Sequence, residues 1–407
     1  MSTGNPTVFR TLNERAALEL LLRHGTLTRA ELEFHTGLSK ASAAEVLRRL
    51  ENGRLARKAG TKPGNAGPAA QQWELDGSAA WVAGVDLTAR AVEVTVADLS
   101  GRVRGDHRAQ APGEGADAVE FLTSAVEAAA SSAGIGLEQL DQIVLGVPGI
   151  VDAGGERLRQ AVQLSGWSHL DDLGDLRERL GAERFRLEND VNLVAIRELA
   201  EHEGSSFVLL WIGSGVGAGA VLDGSLWRGV TGRGGEVGSV IVPDPVSVGR
   251  VHGPDGGPVG VLLGAQPLAE LARAHGLETG SGLAEVVAFL RSRNPDRLEA
   301  THRPDGPFGR FLDDFARRVA IAVTAAVGVL DPGRVVLGGP VCIAAGEPLR
   351  ARVAGLLAPT GLAPVEVSVS RVDGNAVLDG AVRYSLELAR ERVFQAGTAG
   401  RTGDHIP

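Results

Sequence analysis

The chain has 407 residues, of which 43% are hydrophobic and 22% are charged, and its net charge is −9. This length allows two or three domains, and the hydrophobic content allows each of them a core. A disordered or fibrous protein is therefore excluded. Cys342 is the only cysteine, so an internal disulfide and a cysteine-rich zinc site are also excluded. The sequence has no apolar run of about 18 residues and no secretion signal, so we expect a cytoplasmic protein without a membrane partner.

The negative charge is unevenly distributed along the chain. Residues 1–72 carry eleven basic and six acidic side chains, a balance of +5, whereas the remainder carries −14. A basic module joined to an acidic body can bind phosphate at one end and be repelled elsewhere. An ordinary solvated helical surface would explain the charge equally well, so the inference depends on the helices of this segment.

Three amphipathic helices are predicted at the N-terminus. The first runs from Asn13 to His24, and the second begins at Thr28, where Glu31 follows with the spacing of a capping box. Gly37 ends the second helix, and Ser39 is the expected N-cap of the third. The third helix buries an apolar stripe made of Ala43, Val46, Leu47 and Leu50. A tight glycine turn before the last of three helices indicates a helix-turn-helix, which we place within a domain spanning residues 1–75.

The apolar stripe leaves the polar side chains of the third helix on the outside. A recognition helix enters the major groove with its N-terminal part, so we expect Ser39, Lys40 and Ser42 near base edges. Basic residues farther along this helix and on a predicted wing are expected to contact phosphates. These residues are Arg48, Arg49, Arg57, Lys58 and Lys62. The segment resembles the winged helix-turn-helix domains of bacterial repressors, which implies a double-stranded DNA operator. A three-helix protein-interaction module is the alternative.

From Trp81 onward the composition changes to alternating apolar strands. A pattern of strand, loop, strand and turn occurs at residues 82–101 and again at residues 207–224. Two copies of one pattern suggest a duplicated α/β lobe with a cleft between the copies. Helices that would cover the sheets are predicted at residues 118–130, 176–180, 191–203 and 308–330. The small, polar residues 394–407 are expected to form a disordered tail.

The body also contains an ordered series of glycine-rich and polar motifs. In chain order these are Gly146–Asp152, Leu164–Trp167, Glu188–Asn192, Gly213–Gly219, Gly234–Gly238, Asp331–Pro332 and Leu337–Gly339. Together they resemble the ROK family of repressors and sugar kinases. The resemblance implies an α/β, actin-like and ribonuclease-H-like body over residues 80–393. Lobe 1 would comprise about 80–190 plus the C-terminal helix, and lobe 2 about 191–375, with sugar-type ligands between them.

The family resemblance assigns roles to three polar residues. Asp190 matches the catalytic base of the kinases, and Asn189 and Glu236 match side chains that hydrogen-bond sugar hydroxyls. A polar cap on the helix that begins near Val191 is the alternative role for Asn189 and Asp190. The glycines of the second loop are either remnants of a nucleotide site or a tight strand connection kept for packing. They are Gly213, Gly215 and Gly217.

Departures from the family pattern argue against kinase activity. Active members carry Asp-x-Gly-Gly-Thr in the first phosphate loop, whereas residues 86–90 here read Asp-Leu-Thr-Ala-Arg and lack both glycines. A Cβ at those positions obstructs the close approach of backbone to phosphate. The family's sugar-binding histidine is Ser239 here, and alignment on Gly260 replaces a sugar-binding glutamate with Leu263. We therefore expect a catalytically inactive protein that uses no cofactor and no metal.

The sequence thus predicts a transcriptional regulator, a repressor of carbohydrate-related genes that responds to a sugar or sugar phosphate. A lone helix-turn-helix usually needs a symmetric partner, so we expect a homodimer or homotetramer. Two alternatives stay open at this point. One is an active ATP-dependent sugar kinase that carries a DNA-binding domain, and the other is a regulator that needs no ligand.

Overall fold

The computed structural model describes residues 6–63, 69–111, 116–159, 164, 167–168, 174–202, 204–242, 257–293, 306–358 and 365–399. The chain divides into two compact units. Unit 1 consists of Met1–Val147, Val162–Leu187 and Ala381–Pro407, and unit 2 consists of Pro148–Ala161 and Glu188–Gly380. Within the described ranges, no helix combines the length and the apolar character needed to cross a membrane.

The N-terminal part of unit 1 is a winged three-helix module. Its elements are α1 (Pro6–His24), β1 (Thr26–Thr28), α2 (Arg29–Thr36), α3 (Lys40–Asn52), β2 (Ala56–Lys62) and β3 (Ala70–Leu75). The three strands form a sheet in the order β1-β3-β2. The sequence did not reveal β1, because a strand of three residues is too short to show an alternating pattern. The turn-rich tip of the wing is predicted at residues 60–68, but β2 extends into it as far as Lys62, and residues 64–68 lie outside the described ones.

Local capping interactions fix the ends of α2 and α3. The Glu31 N–H donates to the Thr28 hydroxyl at 3.3 Å, and the Thr28 N–H donates to the Glu31 carboxylate at 2.8 Å. Gly37 ends α2 with a left-handed φ of 70°, a conformation that favours glycine. The Ser39 hydroxyl then accepts from the Ser42 N–H at 3.2 Å. The predicted capping box and N-cap are therefore both confirmed.

A five-stranded sheet forms the centre of the rest of unit 1. The elements that follow the module, up to the end of this sheet, are β4 (Trp81–Leu87), β5 (Ala91–Asp98), β6 (Val103–Gln110), β7 (Ala116–Asp117), α4 (Ala118–Ser132), β8 (Leu140–Val147), β9 (Ile150–Val151), β10 (Leu158–Arg159), β11 (Trp167–Ser168), α5 (Gly174–Leu180) and β12 (Phe185–Asn189). The sheet order is β12-β8-β4-β5-β6. The short pair β9 and β10 belongs to unit 2.

A second five-stranded sheet forms the centre of unit 2. The remaining elements are α6 (Asp190–Leu199), β13 (Phe207–Ile212), β14 (Val216–Leu222), β15 (Ser225–Trp227), β16 (Ile241–Val242), β17 (Gly257–Pro258), α7 (Val259–Leu263), α8 (Ala265–Ala274), α9 (Leu283–Ser292), α10 (Pro307–Leu330), β18 (Arg334–Gly338), α11 (Gly339–Leu357), β19 (Glu366–Val369) and α12 (Ala376–Ala399). The sheet order is β15-β14-β13-β18-β19.

The two sheets share one topology. In each, the first strand in the chain is central, two antiparallel strands extend from one side of it, and a parallel strand adjoins the other side. The order third, second, first, fourth, fifth therefore occurs twice. This repetition confirms the duplicated α/β pattern that the sequence predicted.

The last helix, α12, completes the core of the winged module. Phe394 is 4% exposed and packs in one apolar cluster with module residues such as Leu18 and with Leu99 of the body. Arg15 of α1 pairs with Glu391 of α12 at 3.1 Å. The prediction of disorder from residue 394 is thus wrong for residues 394–399, because a single buried aromatic anchors an otherwise polar segment. Residues 400–407 lie outside the described ones.

Candidate functional site

The N-terminal end of α3 presents a polar surface. Its apolar stripe is buried in the core of the module, as predicted. Ser39, Lys40 and Ser42 are all exposed, and the two serine hydroxyls lie 2.9 Å apart. This end of the helix can therefore enter a groove without disturbing the core of the module.

Most of the predicted phosphate-binding residues are exposed and already paired with a carboxylate. Each ion pair joins the basic group to an acidic side chain of the same module at 2.7–3.1 Å. The pairs are Arg48 with Glu45, Arg57 with Glu74, Lys58 with Glu51, and Lys62 with Glu31. These contacts hold the basic groups at defined positions, although exposed pairs of this kind contribute little to stability.

Arg49 differs from the other basic residues. Its side chain is half-buried and lies 3.3 Å from the carboxylate of Glu14, which is itself buried. Burial raises the pKa of Glu14, and the positive charge of Arg49 opposes that increase. Arg49 therefore compensates a buried carboxylate inside the module, and we leave it out of the phosphate-binding set. Sequence patterns contain no sign of this pair, because its two partners lie on different helices.

Asn189, the last residue of β12, belongs to unit 2 and caps α6. The Asn189 Oδ1 accepts from the Asn192 N–H at 3.1 Å, and its Nδ2 donates to the carbonyl of Gly149 at 2.9 Å. The oxygen and the nitrogen of the Asn189 side-chain amide are thus both hydrogen-bonded to the backbone. The interpretation of Asn189 as a polar cap is confirmed, and its use in ligand binding remains a prediction.

An ion pair with a buried carboxylate lies beside Asn189. Glu188 is buried, and its Oε2 accepts from the Nε of Arg228 at 2.7 Å. Its Oε1 accepts from the Asn189 N–H at 3.0 Å and from the Asn192 Nδ2 at 2.8 Å. Glu188 and Arg228 therefore fix the start of α6. Sequence reasoning overlooked Arg228, whose only signal was a basic residue just after β15.

Asp190 and Glu236 are half-buried residues of the same unit. Asp190 begins α6, and its Oδ1 accepts from the Val191 N–H at 2.9 Å. The carboxylate of Glu236 has no hydrogen bond within the described part of the chain. Burial raises its pKa despite the positive charge of Arg233. Glu236 is therefore able to accept hydrogen bonds from a ligand without giving up a hydrogen bond to any residue that the structure describes.

The second glycine-rich loop owes two of its glycines to close packing. A Cβ at Gly217 would lie 3.2 Å from the side chain of Val191 on α6, and one at Gly213 would lie 3.0 Å from the Trp211 ring nitrogen. Gly215 accepts at its carbonyl from the Gly213 N–H at 2.9 Å. Packing of α6 against β14 is thus one reason for a glycine at position 217, and a nucleotide site at this loop stays a prediction.

In the first phosphate loop, at residues 86–90, backbone N–H groups already donate hydrogen bonds within the loop and to the residue that follows it. The Thr88 hydroxyl oxygen accepts from the N–H groups of Ala91 at 3.1 Å and Arg90 at 3.4 Å. The Thr88 N–H donates to the carbonyl of Ala91 at 2.9 Å. A phosphate cradle needs free N–H groups that point toward the ligand. In this loop a side chain has taken two of them.

The two sugar-binding positions that depart from the family pattern have opposite environments. Ser239 is exposed, whereas Leu263 is fully buried in the apolar core that surrounds α10 and α11. A core leucine has no polar atom to offer a sugar hydroxyl. Residues 255–263 stand in place of the family's cysteine-rich segment, and residues 255–256 of this stretch lie outside the described ones. Among those that are described, no cluster of three His, Cys, Asp or Glu side chains is arranged to hold a metal ion.

A winged three-helix module followed by two sheets of ribonuclease-H-like order defines a protein with a sugar-kinase-like fold. Residues 82–260 match the model of the ROK family, and the chain therefore contains a ROK family domain. The resemblance seen in the sequence is thereby confirmed.

Relatives of this chain include both enzymes and repressors. A glucokinase of Thermotoga maritima is 27% identical over 285 residues, which cover 63% of this chain and 81% of the enzyme. A xylose repressor of Bacillus subtilis is 21% identical over 254 residues, which cover 60% of this chain and 63% of the repressor.

Among solved structures, a ROK family transcriptional regulator, a homolog of the E. coli MLC protein, superposes with a TM-score of 0.72 at 17% identity. The match covers 96% of this chain and 100% of that one, so it extends over the winged module. At this identity it shows the fold alone.

Proposed function

We propose that this protein is a DNA-binding transcriptional regulator whose sugar-kinase-like body senses a ligand and catalyses no phosphoryl transfer. The observation that carries the proposal is the winged module, which exposes the N-terminal end of α3 and is joined to a ROK family domain. Repressors among the relatives, such as that of Bacillus subtilis, support the same function. Target genes would concern carbohydrate use, and repression is the mode that these relatives favour.

In this proposal, Ser39, Lys40 and Ser42 contact base edges, and exposed basic residues contact phosphates. The phosphate set comprises Arg48, Arg57, Lys58 and Lys62. Each of its members would exchange a carboxylate for a phosphate on binding, which keeps the cation paired in both states. The operator would be a two-fold symmetric site that is bound by a homodimer or homotetramer.

Selection from a random duplex library with the purified protein, followed by gel shifts on the enriched sequence, tests DNA binding. Lys40→Ala removes a base-edge contact and should weaken operator binding about ten-fold or more. Arg23→Ala is the matched control, because Arg23 is also an exposed basic residue of the module but lies at the end of α1. A protein that enriches no sequence at moderate salt would refute the proposal.

The effector is proposed to be a sugar or sugar phosphate that contacts Asn189, Asp190 and Glu236. Glu236 supports this assignment because its half-buried carboxylate has no protein hydrogen bond among the described residues. Thermal-shift screening of sugars and sugar phosphates, with Glu236→Gln beside the wild type, tests the site. A ligand at a hundred times its Kd adds about 2.7 kcal/mol of stability, and this gain should fall in the variant. No stabilisation by any compound would favour a regulator that needs no ligand.

An active kinase is the second candidate, and Asp190 together with the kinase relatives favours it. The hydrogen bonds of Thr88 argue against it, because they occupy N–H groups of the first phosphate loop. A coupled assay with ATP across hexoses and amino sugars distinguishes the candidates. We expect no turnover. Turnover that Asp190→Asn abolishes would establish the kinase instead.

A further inference from the structure

A cavity of about 180 Å³ lies where the winged module meets the body within unit 1. Its walls come from the end of α1, the base of the wing, and the turn between β5 and β6. Leu21 and Leu75 provide apolar surface, and three arginines line the same space. These are Arg57 of the wing and Arg102 and Arg104 of the body. The cavity is therefore shared between two parts of unit 1.

Two carboxylates accompany these arginines, and both are already occupied. Asp98 is buried and accepts from the Ser100 N–H at 3.0 Å and from the Arg104 Nε at 2.7 Å. Burial alone would raise the pKa of Asp98, but its hydrogen bonds hold it below the ordinary value. Glu74 accepts from Arg57 at 2.7 Å. Both acids thus serve to fix arginines rather than to bind a cation.

The arginines retain a surplus of charge and of donors. Three guanidinium groups face two carboxylates, so one positive charge is uncompensated within the cluster. Each guanidinium carries five N–H donors, and the two carboxylates engage only a few of them. The Arg102 guanidinium lies 4.0 Å from Glu74, beyond hydrogen-bond distance, and its side chain is 62% exposed. The group best suited to this cavity is a planar or tetrahedral oxyanion.

We propose that this cavity is a second ligand site, distinct from the one around Asn189, and that it binds the phosphate or carboxylate group of a small metabolite. Arg102 donates to the oxyanion, and Arg57 and Arg104 complete its surroundings. A ligand bound here contacts the winged module and the body at once. It therefore stabilises their docking, whether or not the protein regulates genes.

Calorimetric titration of the full chain tests this proposal, with inorganic phosphate in one arm and citrate in the other at matched ionic strength. The two arms distinguish a phosphate site from a carboxylate site, and saturable binding in either supports the proposal. Arg102→Ala should weaken that binding at least about ten-fold, since it removes a charge-assisted donor. Its backbone N–H, which donates to Asp98 at 3.2 Å, is retained, so the turn should fold.

Arg108→Ala is the matched control. Arg108 lies on β6, six residues beyond Arg102, and its side chain is 65% exposed. It does not line the cavity, so binding should change less than about two-fold. Hydrogen–deuterium exchange should show ligand-dependent protection at the end of α1 and in the β5–β6 turn.

Three results would overturn the proposal. The first is an absence of saturable binding by either anion, and the second is an equal loss of binding in both variants. The third is that Arg102→Ala weakens binding to duplex DNA while anion binding shows no dependence on Arg102. In that case the cluster would belong to the DNA-binding surface.

Discussion

Truncation of Phe394 should destabilise the winged module, although this residue is more than 300 positions away from it in sequence. Phe394 is 4% exposed and packs in the same cluster as the helices of the module. Replacement of a buried phenylalanine by alanine usually costs about 3–5 kcal/mol. Since α12 ends only five residues later, at Ala399, the site can relax, and we expect a value near the lower limit. About 3 kcal/mol corresponds to a decrease in Tm of roughly 6–12 °C for a unit of this size.

Hydrogen–deuterium exchange by mass spectrometry is the assay that locates this effect. In Phe394→Ala, peptides from α1 and α3 should exchange faster, because their cluster loses its largest partner from α12. Gln395→Ala is the matched control, since this adjacent side chain is exposed and should change stability by less than about 0.5 kcal/mol. Unchanged protection of α1 and α3 in Phe394→Ala would refute the shared core.

Two further predictions concern a charge and a glycine. The hydrogen bonds from Lys62 and Thr28 lower the pKa of Glu31 to about 2. The stabilisation that the Glu31 carboxylate gives to the fold is therefore complete above its ordinary pKa of 4.5 and is lost as pH falls toward 2. Glu31→Gln keeps the capping box but loses the ion pair with Lys62. Because about a third of the Glu31 side chain is exposed, we expect the free energy of unfolding to fall by only about 1 kcal/mol at pH 7, and this difference should vanish near pH 2. A difference in thermal stability between Glu31→Gln and wild type that does not change with pH would contradict this prediction. Gly235→Ala should cost at least about 3 kcal/mol in denaturant unfolding, because φ is +96° and the new Cβ would lie 1.9 Å from the Ala218 carbonyl oxygen. Gly276→Ala shares a positive φ of +72° without any neighbour within 4 Å, so it should cost only about 1 kcal/mol, and equal costs would show that the overlap is relieved.

Sequence patterns identified the features that depend on near neighbours. The capping box of Thr28 and the N-cap of Ser39 are decided by residues three positions apart, and both are present in the structure. The duplicated strands were equally visible, because each copy repeats the same alternation of apolar residues. The candidate ligand residues were found only through the family resemblance, since an Asn-Asp pair before a helix has a sufficient local reason as a cap.

Features that depend on distant partners stayed hidden. Arg49 carried the same signal as Arg48 in the sequence, yet one compensates a buried glutamate and the other is exposed. Neither the helical end of α12 nor the cluster around Arg102 could be predicted, because each requires strands and helices that are far apart in sequence. Burial of a charge is a property of the assembled core, and one sequence does not record it.

The contribution of α12 to the winged module also orders events during biosynthesis. After Leu75 leaves the ribosomal tunnel, 319 further residues must be synthesised before Phe394 follows. At roughly 5–20 residues per second, this takes about 16–64 s. During that interval the nascent module has an open apolar surface, which chaperones can bind. Completion of the module's core is thus coupled to completion of the body, and the newly made protein gains a finished winged module only when the body is also present.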